Sequence, residues 1–68
     1  MAGMFVRPSE ICKGDRIATV FRERHDGEIS IVKSHEVKKV EFCKSKPEMI
    51  HIDSDCYDNR FSTLVKVV

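Results

Sequence analysis

Met49-Ile50-His51-Ile52-Asp53-Ser54-Asp55-Cys56-Tyr57-Asp58, followed by Asn59-Arg60-Phe61-Ser62-Thr63-Leu64-Val65-Lys66-Val67-Val68, is an unbroken run of alternating character at the end of the chain. Its apolar residues recur every second position, the period of a β-strand rather than of a helix. A two-residue turn at Asp58-Asn59 sets Tyr57 opposite Arg60 and Cys56 opposite Phe61. Further back it sets Ser54 opposite Thr63, Ile52 opposite Val65 and Ile50 opposite Val67. One face then holds Ile50, Ile52, Ser54, Cys56, Phe61, Thr63, Val65 and Val67. The other holds Met49, His51, Asp53, Asp55, Tyr57, Arg60, Ser62, Leu64, Lys66 and Val68. A slip of one residue destroys that separation, so the pattern predicts a hairpin in this register.

Working outward, a loop at Ser45-Lys46-Pro47 places Lys44 opposite Glu48, Phe42 opposite Ile50 and Val40 opposite Ile52. Pro47 has no N–H and one permitted φ, which suits a turn. Three-strand rows Val40–Ile52–Val65 and Phe42–Ile50–Val67 are the expected result. Nearer the N-terminus, His25-Asp26-Gly27 fits a three-residue hairpin loop with Gly27 at the positive-φ position. Arg24 then faces Glu28, Phe21 faces Ile31 and Val20 faces Val32. Ile29, Ile31 and Val37 occupy odd positions, whereas Val40 and Phe42 occupy even ones. The change of phase near Lys38-Lys39 predicts a β-bulge in one long, bent second strand. The best helical window, Pro8-Ser9-Glu10-Ile11, is cut short by Lys13-Gly14. The expectation is an all-β domain: a small antiparallel, strongly bent sheet or partly open barrel of four to five strands.

The segment Ile11-Cys12-Lys13-Gly14-Asp15-Arg16-Ile17 resembles the hydrophobic-x-x-Gly-Asp-x-hydrophobic approach to the first strand of small Src-homology-three-like barrels. Leu64-Val65-Lys66-Val67-Val68 resembles their short final strand. Small proteins of this pattern are frequent among bacteriophage and bacterial accessory proteins. The resemblance implies a fold and no site residues. The chain has no tryptophan and no acidic loop beside an aromatic groove, so polyproline recognition is not implied.

Sixty-eight residues make one domain, 1–68, which buries only about 60% of the surface its unfolded chain exposes. Cys12, Cys43 and Cys56 are odd in number, widely spaced and without a CxxC pair. With no basic and apolar leader at Met1-Ala2-Gly3, they predict reduced thiols in a cytoplasmic protein. No apolar run reaches the roughly 20 residues of a membrane-spanning helix, so no membrane partner is expected. Charge is balanced at 12 basic and 11 acidic residues but unevenly placed. Residues 1–46 hold ten Lys/Arg against seven Asp/Glu, and residues 47–68 hold two against four. A dedicated nucleic-acid binder normally shows a larger basic excess.

The chemical constellations are sparse. His51, Asp53 and Asp55 alternate on one strand face, but same-face neighbours on a strand stand roughly 7 Å apart. The calcium-loop pattern also fails after Asp55. Cys12, Cys43, Cys56, His25, His35 and His51 lack the close pair spacing of structural zinc sites. No nucleophile, base and orienting group can be grouped together. The expectations are no enzyme activity, no metal and no cofactor.

Two binding surfaces remain. Met49, Tyr57 and Leu64 share the outward face of the last hairpin, and Met4 and Phe5 are too apolar to stay alone in solvent. These five are the candidate surface for docking another protein. An N-terminal strand added to an open sheet edge, or a homodimer formed through such an edge, also buries Met4 and Phe5. The alternative is a nucleic-acid surface made of Lys33, Lys38, Lys39, Lys44 and Lys46 with Arg22 and Arg24, diluted by Glu23, Glu28, Glu36 and Glu41. The leading expectation is a non-enzymatic protein-interaction module, a small accessory or regulatory protein that acts by occupying a partner's surface.

Overall fold

The computed structural model describes residues 2–68, and in them the chain alternates short strands with tight connections. Seven strands form: β1 Ala2–Val6, β2 Arg16–Glu23, β3 Ile29–Glu36, β4 Val40–Phe42, β5 Met49–Ile52, β6 Asp55–Asp58 and β7 Leu64–Val67. A 3-10 turn, Pro8–Glu10, stands at the best helical window of the sequence. The fold is all-β and every strand pair is antiparallel. No helix among the described residues is long and apolar enough to cross a membrane.

The strands divide into two sheets. The first is ordered β1-β3-β2-β7 and curls until its outer strands meet, while the second has the order β4-β5-β6. Where the curl closes, β2 and β7 share one residue pair, Ile17 with Lys66, against four pairs between β1 and β7. The sheet is strongly bent and its barrel only partly shut. The four to five strands expected from the sequence are thus seven, because the predicted long strands are broken where the chain passes between sheets.

Turn chemistry explains the first hairpin. Gly27 has φ 85°, its N–H donates to Arg24 O at 3.0 Å, and Arg24 N donates to Glu28 O at 2.8 Å. Phe21 pairs with Ile31, as the loop length requires. Val20 then pairs with Lys33 rather than Val32, since the register shifts on both sides of Val20. These irregularities bend β2 and β3 and leave Val20 and Val32 exposed. In the middle hairpin Val40 pairs with Ile52 and Phe42 with Ile50, the expected register.

The last hairpin differs from the sequence reading. Its turn is Asp53-Ser54, and Ile52 pairs with Asp55, His51 with Cys56, Ile50 with Tyr57 and Met49 with Asp58. β7 leaves this sheet to pair with β1, Val65 opposite Phe5 and Val67 opposite Gly3. Asp53 adopts φ 54°, and its Oδ1 accepts hydrogen bonds from Lys38 N and Lys39 N, each at 3.0 Å. Asp53 N also donates to Lys39 O at 2.9 Å. These bonds hold the turn and the connection from β3 to β4 together. The phase change at Lys38-Lys39 is therefore a passage between sheets and not a bulge within one strand. Moving the turn also exchanges two side chains: Tyr57 packs against the core and Cys56 is exposed.

Val6, Ile11, Ile17, Val37, Ile50 and Ile52 form the core between the two sheets. Ile50 and Ile52 are each 1% exposed. Around the Gly14 turn, Gly14 N donates to Val37 O at 2.9 Å and Asp15 Oδ2 accepts from Cys12 N at 2.9 Å. That arrangement aims Ile11 and Ile17 inward from either side. β1 adds to the curled sheet as a pairing strand, which buries Val6 but, against expectation, leaves Met4 and Phe5 about half exposed. It fits there because Gly3 lacks a side chain: a Cβ would lie 2.7 Å from both Ile31 Cδ1 and Val65 Cγ1.

Candidate functional site

Two segments remote in sequence meet beside the end of β1. Pro8 has the fixed φ that favours the start of a helical turn. Glu10 closes that turn, its Oε2 accepting from Arg7 N at 2.7 Å. Across from it, Asp58 organises the connection between β6 and β7. Asp58 O accepts from Phe61 N and Ser62 N, and its Oδ1 accepts from Arg60 N at 2.9 Å. The segments are tied together by Ser9 N donating to Asn59 Oδ1 at 2.9 Å and Arg7 Nη1 donating to Asn59 O at 3.0 Å. Between them lies a groove of about 390 Å³ lined by Phe5, Val6, Arg7, Glu10 and residues 60–63.

The groove presents aromatic rings and guanidinium groups together. Phe61 is 80% exposed, with the Arg60 guanidinium 5.1 Å from its ring centroid. Phe5 is 48% exposed and meets Phe21 edge to face, with centroids 6.0 Å apart. Arg60 is already neutralised, its Nη2 standing 2.9 Å from Asp58 Oδ2 and 3.9 Å from Glu48 Oε1. Hydrogen bonds from the Arg60 side chain and backbone hold the Asp58 carboxyl below its ordinary range. Arg7, by contrast, has no carboxylate within ion-pair distance of its guanidinium among the described residues.

The structure divides the residues expected to form a docking face. Phe5 lines the groove, and Met4 is exposed next to it on β1. Met49 is half-buried on β5, opposite Asp58. Tyr57 and Leu64 pack against the core rather than outward. Burial pushes the Tyr57 phenol above its ordinary pKa, and its hydroxyl reaches Asp55 Oδ2 at 3.5 Å. The outward face proposed around Met49, Tyr57 and Leu64 depended on the Asp58-Asn59 turn and disappears with it.

The basic residues are spread over several elements. Arg22 lies on β2 and Arg24 beside the Gly27 turn, while Lys33 is on β3. Lys38 and Lys39 precede β4, and Lys44 and Lys46 follow it. Four residues, three of them in β4, lie between Lys39 and Lys44. Lys39 is paired with Glu41 at 3.2 Å.

No group of three or more His, Cys, Asp or Glu side chains among the described residues is placed to hold a metal ion. His51 Nε2 and Cys56 Sγ lie 3.8 Å apart, both exposed, on paired strands outside the groove. Cys43 Sγ is 3.3 Å from Ser45 Oγ, and that hydroxyl is the main cause of a lowered thiol pKa.

Arg7, Arg60 and Phe61 were absent from the candidate residues. Phe61, expected inward opposite Cys56, is 80% exposed in the groove. The available signal was Asp58-Asn59-Arg60, since an aspartate readily accepts from the backbone N–H two residues on and so favours an open turn over a strand. Compared with protein families, curated sequences and solved structures, the chain matches none.

Proposed function

We propose that the protein is a non-enzymatic protein-interaction module that docks a partner through the groove between the Pro8–Glu10 turn and residues 59–63. One observation carries this reading: Phe61 and Phe5 stand exposed together in a concave site whose walls are hydrogen-bonded to each other. Exposed aromatic rings beside arginine are the side chains that dominate binding energy in protein interfaces. The walls are preorganised, which lowers the ordering cost of association. The Src-homology-three-like pattern supports a binding role on a small rigid scaffold, and the three free thiols suit work in a reducing cytoplasm as an accessory or regulatory protein.

The test uses immobilised full-length protein and native lysate. A partner retained by the wild type and by Lys38→Glu/Lys39→Glu, but lost with Phe61→Ala, supports the groove. Retention unaffected by Phe61→Ala overturns it. Salt-sensitive binding of a 20-nucleotide single strand that is lost in the double lysine variant also overturns it, in favour of a nucleic-acid surface.

A further inference from the structure

We infer that the open edge of β4 pairs antiparallel with β4 of a second copy of this chain, Val40 opposite Val40, so that Lys39 of each copy faces Glu41 of the other. This surface is apart from the groove and independent of the docking reading. The curled sheet brings its outer strands together, whereas the smaller sheet ends in β4 on one side and β6 on the other. On the β6 side, Asp58 O already accepts from Phe61 N and Ser62 N. On the β4 side, Cys43 N donates to Met49 O at 3.3 Å and Asp53 N donates to Lys39 O at 2.9 Å, so the odd-numbered residues bond toward β5. Bonding directions alternate along an antiparallel pair, which points the N–H and C=O groups of Val40 and Phe42 away from the sheet. Such a row is a ready template for another strand.

The charges on this edge select a second copy and its register. Outward bonds at Val40 and Phe42 require even-numbered residues to face even-numbered ones across the edge. Centred on Lys39, the pairing sets Lys39 against Lys39. Centred on Glu41, it sets Glu41 against Glu41 and Lys38 against Lys44. Centred on Phe42, it sets Lys38 against Lys46. The register centred on Val40 instead opposes Lys39 to Glu41 twice over, at positions where cross-strand side chains come closest. Lys39 Nζ and Glu41 Oε1 are already 3.2 Å apart within one chain and both exposed, so the dimer gathers four alternating charges. Val40 exchanges two backbone bonds with its counterpart, and Phe42 N donates to Lys38 O in each direction. The same register lays the Lys38 alkyl stem beside the exposed Phe42 ring. Pairing of one patch with itself about a two-fold axis closes on a dimer and leaves no growing end.

A three-residue strand makes a small interface, so the test is sedimentation velocity of the full chain from about 10 µM to about 1 mM. Wild type should pass from monomer to dimer across that range. Lys39→Glu and Glu41→Lys should each weaken the dimer about tenfold, since each sets two like-charged pairs face to face. The combined Lys39→Glu/Glu41→Lys chain restores unlike charges in the same register and should return to the wild-type dissociation constant. Phe61→Ala, in the groove, should leave that constant unchanged. A monomer at every concentration refutes the inference. So does a dimer indifferent to the single reversals, or one that the combined chain fails to restore. Loss of the dimer in Phe61→Ala also refutes it, by moving the contact to the groove.

Discussion

The turns at Gly27 and at Asp53 both reverse the chain between antiparallel strands, but they are stabilised from different places. Gly27 reaches φ 85° without steric penalty, and a Cβ added there would meet nothing within 4 Å. Its hydrogen bonds run only to neighbours in the same loop. Asp53 reaches φ 54° against the preference of an L-residue; it accepts from the amides of Lys38 and Lys39, fifteen and fourteen positions away, and donates to Lys39 O. The first turn is a local property of three residues. The second is a joint that fastens the curled sheet to the smaller one, and it depends on both.

The largest break in that comparison comes from the core beside the joint. Ile52→Ala, next to Asp53 and 1% exposed, is expected to lose about 2–5 kcal/mol of stability in urea unfolding. Against a total of only about 3–10 kcal/mol for a chain of this length, such a loss leaves a large unfolded population. Val32→Ala on the exposed stretch of β3 should change stability by less than about 0.5 kcal/mol. Equal losses at the two sites remove the claim that the joint sits on the core.

A middle-sized effect separates the two turns directly. Asp53→Ala strands two backbone donors and retains a strained φ, a loss of about 2–4 kcal/mol. Asp53→Asn keeps an acceptor and tolerates positive φ, so most of that loss should be recovered. Gly27→Ala carries the φ penalty alone, about 1–2 kcal/mol. Hydrogen exchange sharpens the contrast: the Lys38 and Lys39 amides should lose protection in Asp53→Ala and keep it in Gly27→Ala. Unchanged amide protection in Asp53→Ala means the clasp contributes nothing.

The smallest effect belongs to the wider turn after β6, where Arg60 holds the Asp58 carboxyl below its ordinary pKa near 3.8. A carboxyl lowered in the folded state stabilises the fold fully above that value. The contribution fades as pH falls through the lower folded-state value. Urea midpoints measured from pH 5 down to pH 2.5 should fall slightly more in wild type than in Asp58→Asn. The difference is small because the pair is exposed to solvent. Parallel curves exclude any role of the Asp58–Arg60 pair in stability.

Locally determined features were legible in residue types. The Gly27 loop names its own geometry, and Pro47 with the short Ser45–Pro47 loop sets Phe42 against Ile50 and Val40 against Ile52. An added N-terminal strand was one reading of the apolar Met4-Phe5-Val6, and β1 is paired, though only Val6 is buried by it. Part of the candidate site was legible as well: Phe5 was singled out and does line the groove. Arg7 and Phe61 were hidden, because their roles arise only when residues 7–10 and 59–63 are brought together.

Alternation along 49–68 marked Met49–Ile52 and Leu64–Val67 as strands and turned Ile50, Ile52 and Val65 inward. It did not decide which strand lies beside which, because Val65 is equally buried opposite Ile52 or opposite Phe5. That choice was made by Asp53, whose carboxylate finds two amide donors in a connection outside the hairpin. A period of two records which side of a sheet meets water, and it carries no information about the neighbour across the hydrogen bonds. The tertiary structure chose the turn, and with it sent β7 to the curled sheet, Tyr57 to the core and Phe61 to the groove.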